Sequence, residues 1–551
     1  MSPPSHRRGG GRKPTVVAFV VAGLVVVAAG LGAGVWALTS SGHKTAPARS
    51  NEAVASRPTT TTTAAASKPA VFAGPDGMQA AWVIRENQRP GSSEWAIQGR
   101  PSGQIVGFAN RVYAQAGDAV TLYVSTNATS YHVDAYRMGY YGGAGARLVW
   151  SSAQQGGRSQ PRCPVTPGVN MVHCDGWTPS LTVAVTPDWP AGDYLLKLVG
   201  AGGQQSYVPL TVWNPESHAT YLVKNDVYTW QAWNPFGGYD FYTGAGRCPP
   251  NAYPLCSRAR VVSYDRPYGY GQGAGDFLGS EYPLVRLLEQ DGLDVTYATD
   301  FNVEQDPGFA LQHRALLSLG HDECWSLDER LVAVAAESHG INIAFFAASP
   351  VLRHVRVQGS PLGPAREVVD YRDSSADPLN GHADPRQVTG NTWSSPPANW
   401  SEVPFVGEAY SGYLEPNARA ESFVVADASA WIFHGTGLHD GAQLPGVMVT
   451  DFDQFDPGSH PPNLQIFAHS PIIRAQAQTQ RAAPYSDMTW WTDPASGAGI
   501  FDSGINSWIP ALSGPQGPVL ARITENLLVA IGGGPSGLTH RSAANWAQFY
   551  R

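Results

Sequence analysis

Charge is what this 551-residue sequence has least of. Asp, Glu, Lys and Arg make up 15% of it, against about 25% in an ordinary globular chain. That composition excludes a coiled coil or helix bundle as the main architecture. Basic residues thin out further along the chain. Residues 1–50 hold six of them (Arg7, Arg8, Arg12, Lys13, Lys44 and Arg49) and no acid, which leaves 30 basic against 44 acidic residues, a net of −14, in the remainder. A folded part so acidic is a poor partner for nucleic acid, whose affinity rests on neutralising phosphates. Several motifs are missing as well: there is no phosphate-binding G-x-x-x-x-G-K-[ST], no G-x-G-x-x-G after a strand, no H-E-x-x-H and no G-x-S-x-G. These absences exclude the common nucleotide, zinc-protease and serine-elbow readings. What is present is aromatic side chains (11%), 60 glycines and 44 prolines. This mixture predicts a folded, loop-rich protein with much β structure.

The uncharged, apolar run 16–38 is 23 residues long. At about 1.5 Å per residue it spans a hydrocarbon core of about 30 Å. The Arg7–Arg8 and Arg12–Lys13 clusters before it predict a cytoplasmic N-terminus and place the rest outside. A signal peptide cleaved near Val35-Trp36-Ala37 is the alternative, although its core is usually about 7–15 residues. Either way the bulk is extracytoplasmic. Residues 39–71, rich in Ala, Thr and Pro, read as a stalk too polar to fold.

Five cysteines is an odd count. Outside the cytoplasm close pairs favour bridges, so the sequence predicts Cys163–Cys174 and Cys248–Cys256 disulfides. Cys324 is left unpaired.

Residues 72–215 read as a β-sandwich. Val120, Leu122 and Val124 alternate with polar neighbours, and turns rich in Gly, Asn and Pro separate such runs. From 216 to 540 strand and helix alternate, which predicts an α/β domain with a parallel sheet; 541–551 is a tail. Leu284, Leu287 and Leu288 share one helix face closed by Gly292. Ala315 opens a buried strand, Ser326 and Glu329 form a capping box, and Ile341 opens the next strand. Ligands bind at the carboxyl ends of such strands, so the loops after 299, 320 and 346 are the places to look.

The second of those loops, Gly320-His-Asp-Glu-Cys-Trp-Ser326, concentrates His321, Glu323 and Cys324 before a capped helix. A thiolate there is favoured by the helix dipole, with His321 as its base. The plainer alternative is that Cys324 is a small buried hydrophobe. Asp300, Ser349, Arg353, His354 and Arg356 follow neighbouring strands, and Arg266 and Tyr268 follow a short β run. Trp230 and Asn234 open an aromatic and amide cluster suited to lining a cleft or to packing between domains. Trp230, Asn234, Arg266, Tyr268, Asp300 and Arg356 are the candidate substrate contacts.

Six motifs together resemble the N,N-dimethylformamidase large (beta) subunit family: Val133-Asp-Ala-Tyr-Arg-Met-Gly-Tyr-Tyr-Gly-Gly143, Trp230-Gln-Ala-Trp-Asn234, Asp265-Arg-Pro-Tyr268, Gly320-His-Asp-Glu-Cys-Trp-Ser326, His434-Gly-Thr-Gly-Leu438 and Ser503-Gly-Ile-Asn-Ser-Trp508. The resemblance runs from about 75 to 535. It implies an immunoglobulin-like β domain, an α/β domain similar to class I glutamine amidotransferases, and hydrolysis of small N-substituted amides at one iron held by two tyrosines and a glutamate. Cys324 stands where the family has a tyrosine. Tyr282 or Tyr297 would correspond to the other tyrosine, and Asp451 or Glu408 to the glutamate. The expectation is an amide hydrolase in which His321 shuttles a proton and either a metal or Cys324 does the chemistry. The competing expectation is a module binding a cell-envelope ligand, its chemistry lost.

Overall fold

The computed structural model describes residues 70–99, 104–245, 257–382, 384–415, 418–473, 475–477 and 484–550. The run 16–38, the stalk up to residue 69 and the Cys248–Cys256 pair lie outside them. Among the described residues no helix is long and apolar enough to cross a membrane.

Alternation of apolar and polar residues builds the first region. Its strands are β1 (Ile105–Ala109), β2 (Ala119–Thr126), β3 (Ser130–Met138), β4 (Ala146–Ser151), β5 (Leu181–Ala184), β6 (Gly192–Gly200) and β7 (Gln205–Val212). One antiparallel sheet runs β5-β2-β1 and the other β7-β6-β3-β4. Val120, Leu122 and Val124 of β2 meet Val133, Leu196 and Leu210 in a shared core. Each such side chain contributes about 1.5–3 kcal/mol on burial. The opposite face of β2 is covered too: Tyr123 stacks on Phe108 at 4.8 Å, and both pack with Trp177 and Cys174. Cys174 is bonded to Cys163, which pins this cover.

The second region is a seven-stranded sheet. Its elements are β8 (Tyr221–Asn225), α1 (Tyr282–Gln290), β9 (Val295–Thr299), β10 (Ala315–Ser318), α2 (Leu327–Ser338), β11 (Asn342–Phe345), β12 (Glu408–Leu414), β13 (Asp451–Phe455), β14 (Gln465–Pro471), β15 (Tyr485–Thr492), β16 (Gly499–Asp502) and α3 (Gly517–Gly532). The order is β9-β8-β10-β11-β16-β15-β14. The first five strands are parallel, and β15 and β14 are antiparallel additions at one edge, so the sheet is mixed rather than wholly parallel. β8, β9, β10 and β11 are buried along their whole length. With no solvent face to alternate toward, apolar residues such as Leu222-Val223, Leu316-Leu317 and Ile343-Ala344 stand side by side, and Lys224, Asn225 and Asn342 are buried polar members of the same strands. Ser326 caps α2 by accepting from the Glu329 backbone N–H at 3.1 Å, as its spacing predicts.

A hairpin, Val71–Gly74 with Gly77–Ala80, joins the second region instead of the first. Gln79 bridges to Leu293, and Ala80 donates its N–H to the Gly292 carbonyl at 3.0 Å.

Candidate functional site

Four segments meet at the carboxyl edge of the parallel strands. After β8, the short helix Val227–Ala232 delivers Trp233 and then Tyr242. After β10, Gly320 turns the chain at φ +65°, where a Cβ would lie 3.0 Å from the Ser280 Cβ, and His321 and Glu323 follow. After β11 come Ser349 and Arg353. The antiparallel pair β12–β13 supplies Tyr410 and Asp451 from the far side. Together they enclose a cleft of about 660 Å³.

Glu323 is the best-held group in it. Its Oε1 accepts from Arg353 Nε at 3.0 Å, its Oε2 from Trp233 Nε1 at 3.4 Å and from the Tyr242 hydroxyl, and His321 Nε2 lies 3.5 Å from Oε2. Burial alone would raise this carboxyl. Arg353, His321, Arg372 and the Tyr242 hydroxyl outweigh it and hold the group below the usual carboxylate range. Trp233 and Tyr242 stack at 3.6 Å, giving this wall a flat aromatic surface.

Asp451 faces them. The Tyr410 hydroxyl donates to Oδ1 at 3.0 Å and Asn506 Nδ2 to Oδ2 at 3.2 Å, so both oxygens are oriented. Burial first, then the Asp451 carboxylate, push the Tyr410 phenol well up, which keeps its proton in place.

The loop after β11 is strained. Ser349 and Val351 sit at φ +58° and +59°, a region that costs a non-glycine residue about 1–3 kcal/mol. It is held from beneath: the Ser349 N–H donates to both Asp453 oxygens at 2.8 Å, and the Val351 N–H to the Asp322 carbonyl at 3.2 Å. Asp453 belongs to a buried nest with Glu408, Asp487 and Asp502. Burial pushes the Asp502 carboxyl up to about 8, and likewise that of Asp193, at the joint between the regions. An acid whose folded value lies above its unfolded one adds stability that is lost as pH rises through the folded value. Buried His313 and His354, pushed down to about 4 by burial, act only below their unfolded value of about 6.5. The melting temperature is therefore expected to fall by a few degrees between pH 6.5 and 8.5, and Asp502→Asn to flatten that slope. An unchanged slope in the variant would show that Asp502 is ionised throughout.

The other residues singled out in the sequence are dispersed. Cys324 is fully buried and outside the cleft lining; burial, then the Glu323 and Asp370 carboxylates, push its thiol well up. Trp230 donates Nε1 to Glu281 Oε1 at 2.8 Å. Asn234 and Arg266 tie loops together: Asn234 Nδ2 donates to the Pro267 carbonyl, and the Arg266 guanidinium to the carbonyls of Phe236, Tyr239 and Asn234. Tyr268 stands edge-on to Trp230. Arg356 pairs with Asp377 at 2.9 Å, and Asp300 with Lys224 at 2.6 Å. Tyr297 donates to Glu289 at 2.7 Å, and Tyr282 to the Gly145 carbonyl at 2.8 Å, both at the joint between the two regions. Glu408 takes the Thr489 hydroxyl at 2.7 Å inside the acidic nest. Of the residues named for chemistry, His321, Glu323 and Asp451 share the cleft, with Arg353 and Ser349 from the loop after β11. Trp233 and Tyr242 come from the aromatic cluster already noted in the sequence; Tyr410, on a strand, carried no signal.

The family model for the N,N-dimethylformamidase beta subunit-like C-terminal region matches residues 132–521. The chain belongs to that family. The match begins within β3 and takes in the whole seven-stranded sheet and every wall of the cleft. No curated protein matches the chain. Among solved structures, a Paenibacillus sp. cycloisomaltooligosaccharide glucanotransferase complexed with cycloisomaltoheptaose aligns at a TM-score of 0.14 with 12% identity, over 23% of this chain and 16% of that one. So slight a likeness carries no argument. Of the residues assigned to the iron that the family resemblance implies, Tyr282 and Tyr297 lie at the joint and Glu408 in the nest, and Asp451 lines the cleft opposite Glu323.

Proposed function

We propose that the chain hydrolyses small N-substituted, non-peptide amides in this cleft, outside the cytoplasm and anchored through residues 16–38. The observation that carries the reading is the opposition of His321, Glu323 and Arg353 to the doubly oriented Asp451 across one cleft of the family's fold. Asp451, oriented through both oxygens, accepts the proton of a water that attacks the amide carbonyl carbon. Arg353, kept charged by Glu323, faces the oxyanion as the tetrahedral intermediate forms. His321 delivers a proton to the nitrogen as the C–N bond breaks, releasing an amine and a carboxylic acid. Cys324 takes no part.

The test is amine release from a panel of N-substituted formamides and acetamides. Asp451→Asn is expected to lower kcat by about 10²–10⁴-fold, while Cys324→Ala keeps wild-type turnover. Turnover that survives Asp451→Asn, or disappears with Cys324→Ala, would sink the assignment. A second reading, a binding module for a cell-envelope ligand, draws on Glu323, whose oxygens are already taken up by protein donors. It gains if no amide in the panel is turned over.

A further inference from the structure

A second cavity, about 590 Å³, lies at the joint between the sandwich and the edge strand β9. We propose that it binds a neutral saccharide. Its walls include three indoles, Trp82, Trp189 and Trp213, each held by neighbours. Trp189 stacks on Tyr194 at 5.0 Å, Trp213 stands edge-on to Tyr113 and Phe309 at 5.9 and 5.2 Å, and the Arg137 guanidinium lies 5.8 Å from the Trp82 centroid. Half-buried Trp82 and Trp213, fixed in this way, present apolar surface without an ordering penalty when a ligand arrives, and buried Trp189 backs the wall behind them.

The polar lining selects among ligands. Among the described residues none that lines the cavity carries a charge. The polar side chains are the carboxamides of Gln115 and Asn214 and the hydroxyls of Ser217 and Thr296. A charged ligand would enter without a counter-charge. A wholly apolar one would leave the buried Thr296 hydroxyl, which has no hydrogen-bond partner, unpaired at a penalty of about 1–3 kcal/mol. A pyranose supplies both needs: C–H faces for the indoles, and hydroxyls that donate to and accept from carboxamides. The volume lies in the range of about 300–1,000 Å³ that takes a ligand of several rings, so a short oligosaccharide fits better than a monosaccharide.

The full chain should be titrated with cellotriose, maltotriose, mannotriose and chitotriose, and with cyclohexanol as an apolar ring of similar shape, by calorimetry and tryptophan fluorescence. At least one trisaccharide is expected to bind with a millimolar or tighter Kd, and cyclohexanol more weakly. Trp213→Ala should raise that Kd about tenfold. Because Trp213 also packs on Tyr113 and Phe309, the decision rests on Gln115→Ala and Thr296→Val, which keep the packing. Each should weaken binding about three- to tenfold with an unchanged melting temperature. The proposal is overturned if no trisaccharide binds, if cyclohexanol binds as tightly, or if binding ignores both of these variants. Amide turnover plays no part in this test, so its outcome is independent of the cleft's chemistry.

Discussion

Lys224→Met is expected to destabilise the protein by about 5 kcal/mol or more, enough to prevent its accumulation as a folded chain. The Lys224 ammonium lies 2.6 Å from Asp300, 2.7 Å from Asp322 and 2.8 Å from Glu329, and all four side chains are completely buried. The same ammonium sits 4.6 Å from the Trp325 ring centroid. Burial opposes its charge, but the three carboxyl groups more than offset this and hold the amine well above its ordinary value. Methionine would fill the space and leave the acids facing one another without a cation. These three acids are the one group among the described residues spaced to grip a metal ion, and the ammonium already stands between them. A companion variant separates charge from packing. Burial, with Asp300 and Asp322, drives the Glu329 carboxyl well up despite Lys224, the direction that favours its neutral form. Glu329→Gln imitates that neutral acid and should change urea-unfolding stability by less than about 1 kcal/mol. A Lys224→Met protein as stable as wild type would mean that the acids all protonate without penalty, and a large loss in Glu329→Gln would mean that Glu329 is ionised.

The tetrad also shows where sequence reading stops. Local signals read through to structure: the alternation of Val120, Leu122 and Val124, the Ser326 cap, the Gly292 stop, and the strands opening near Ala315 and Ile341. Each depends on neighbours a few residues away. The Gly320 turn likewise marks the edge where the cleft forms, and His321 and Glu323 follow directly from it. The polar residues singled out around that edge are a different matter, because their roles are set by distant partners. Asp300 meets a lysine 76 positions back, and Tyr228, in the short helix Val227–Ala232, gives its N–H to the same carboxylate. Arg266, after a strand like many ligand-binding arginines, spends its donors on the carbonyls of a loop some 30 residues earlier. A buried guanidinium that organises loops and one that grips a substrate look alike in sequence; only the count of carbonyls around it tells them apart. Tyr410 escaped notice for the opposite reason. It lies on a strand distant from every motif, and only its pairing with β13 brings it to Asp451.

The second large effect is at the joint. Arg137→Met should cost about 3–5 kcal/mol. Arg137 leaves β3 of the sandwich and makes a two-pronged pair with Glu289 of α1, Nη2 to Oε1 at 2.7 Å and Nη1 to Oε2 at 3.1 Å. The rest of its fork is also occupied, by the Tyr141 hydroxyl at 2.9 Å and the Ala191 carbonyl at 2.9–3.2 Å. Glu289 in turn accepts from the Tyr297 hydroxyl at 2.7 Å and from Asn87. Neither charged side chain is exposed, so removing the cation strands a carboxylate at a joint whose other ties are apolar contacts and hydrogen bonds such as those from Tyr282 to the Gly145 carbonyl and from Tyr113 to Gln305. Lysine would not restore the arrangement, since a point charge cannot serve both carboxylate oxygens and a carbonyl in one plane. Removing both charges is a milder change: in Arg137→Met/Glu289→Leu the stranded charge is gone, and most of the lost stability should return. Urea unfolding of the wild type, the two single variants and the double variant closes a cycle. A coupling of about 2 kcal/mol or more is expected, whereas one below about 0.5 kcal/mol would show that the joint is held by its other contacts and that the ion pair only occupies space between them.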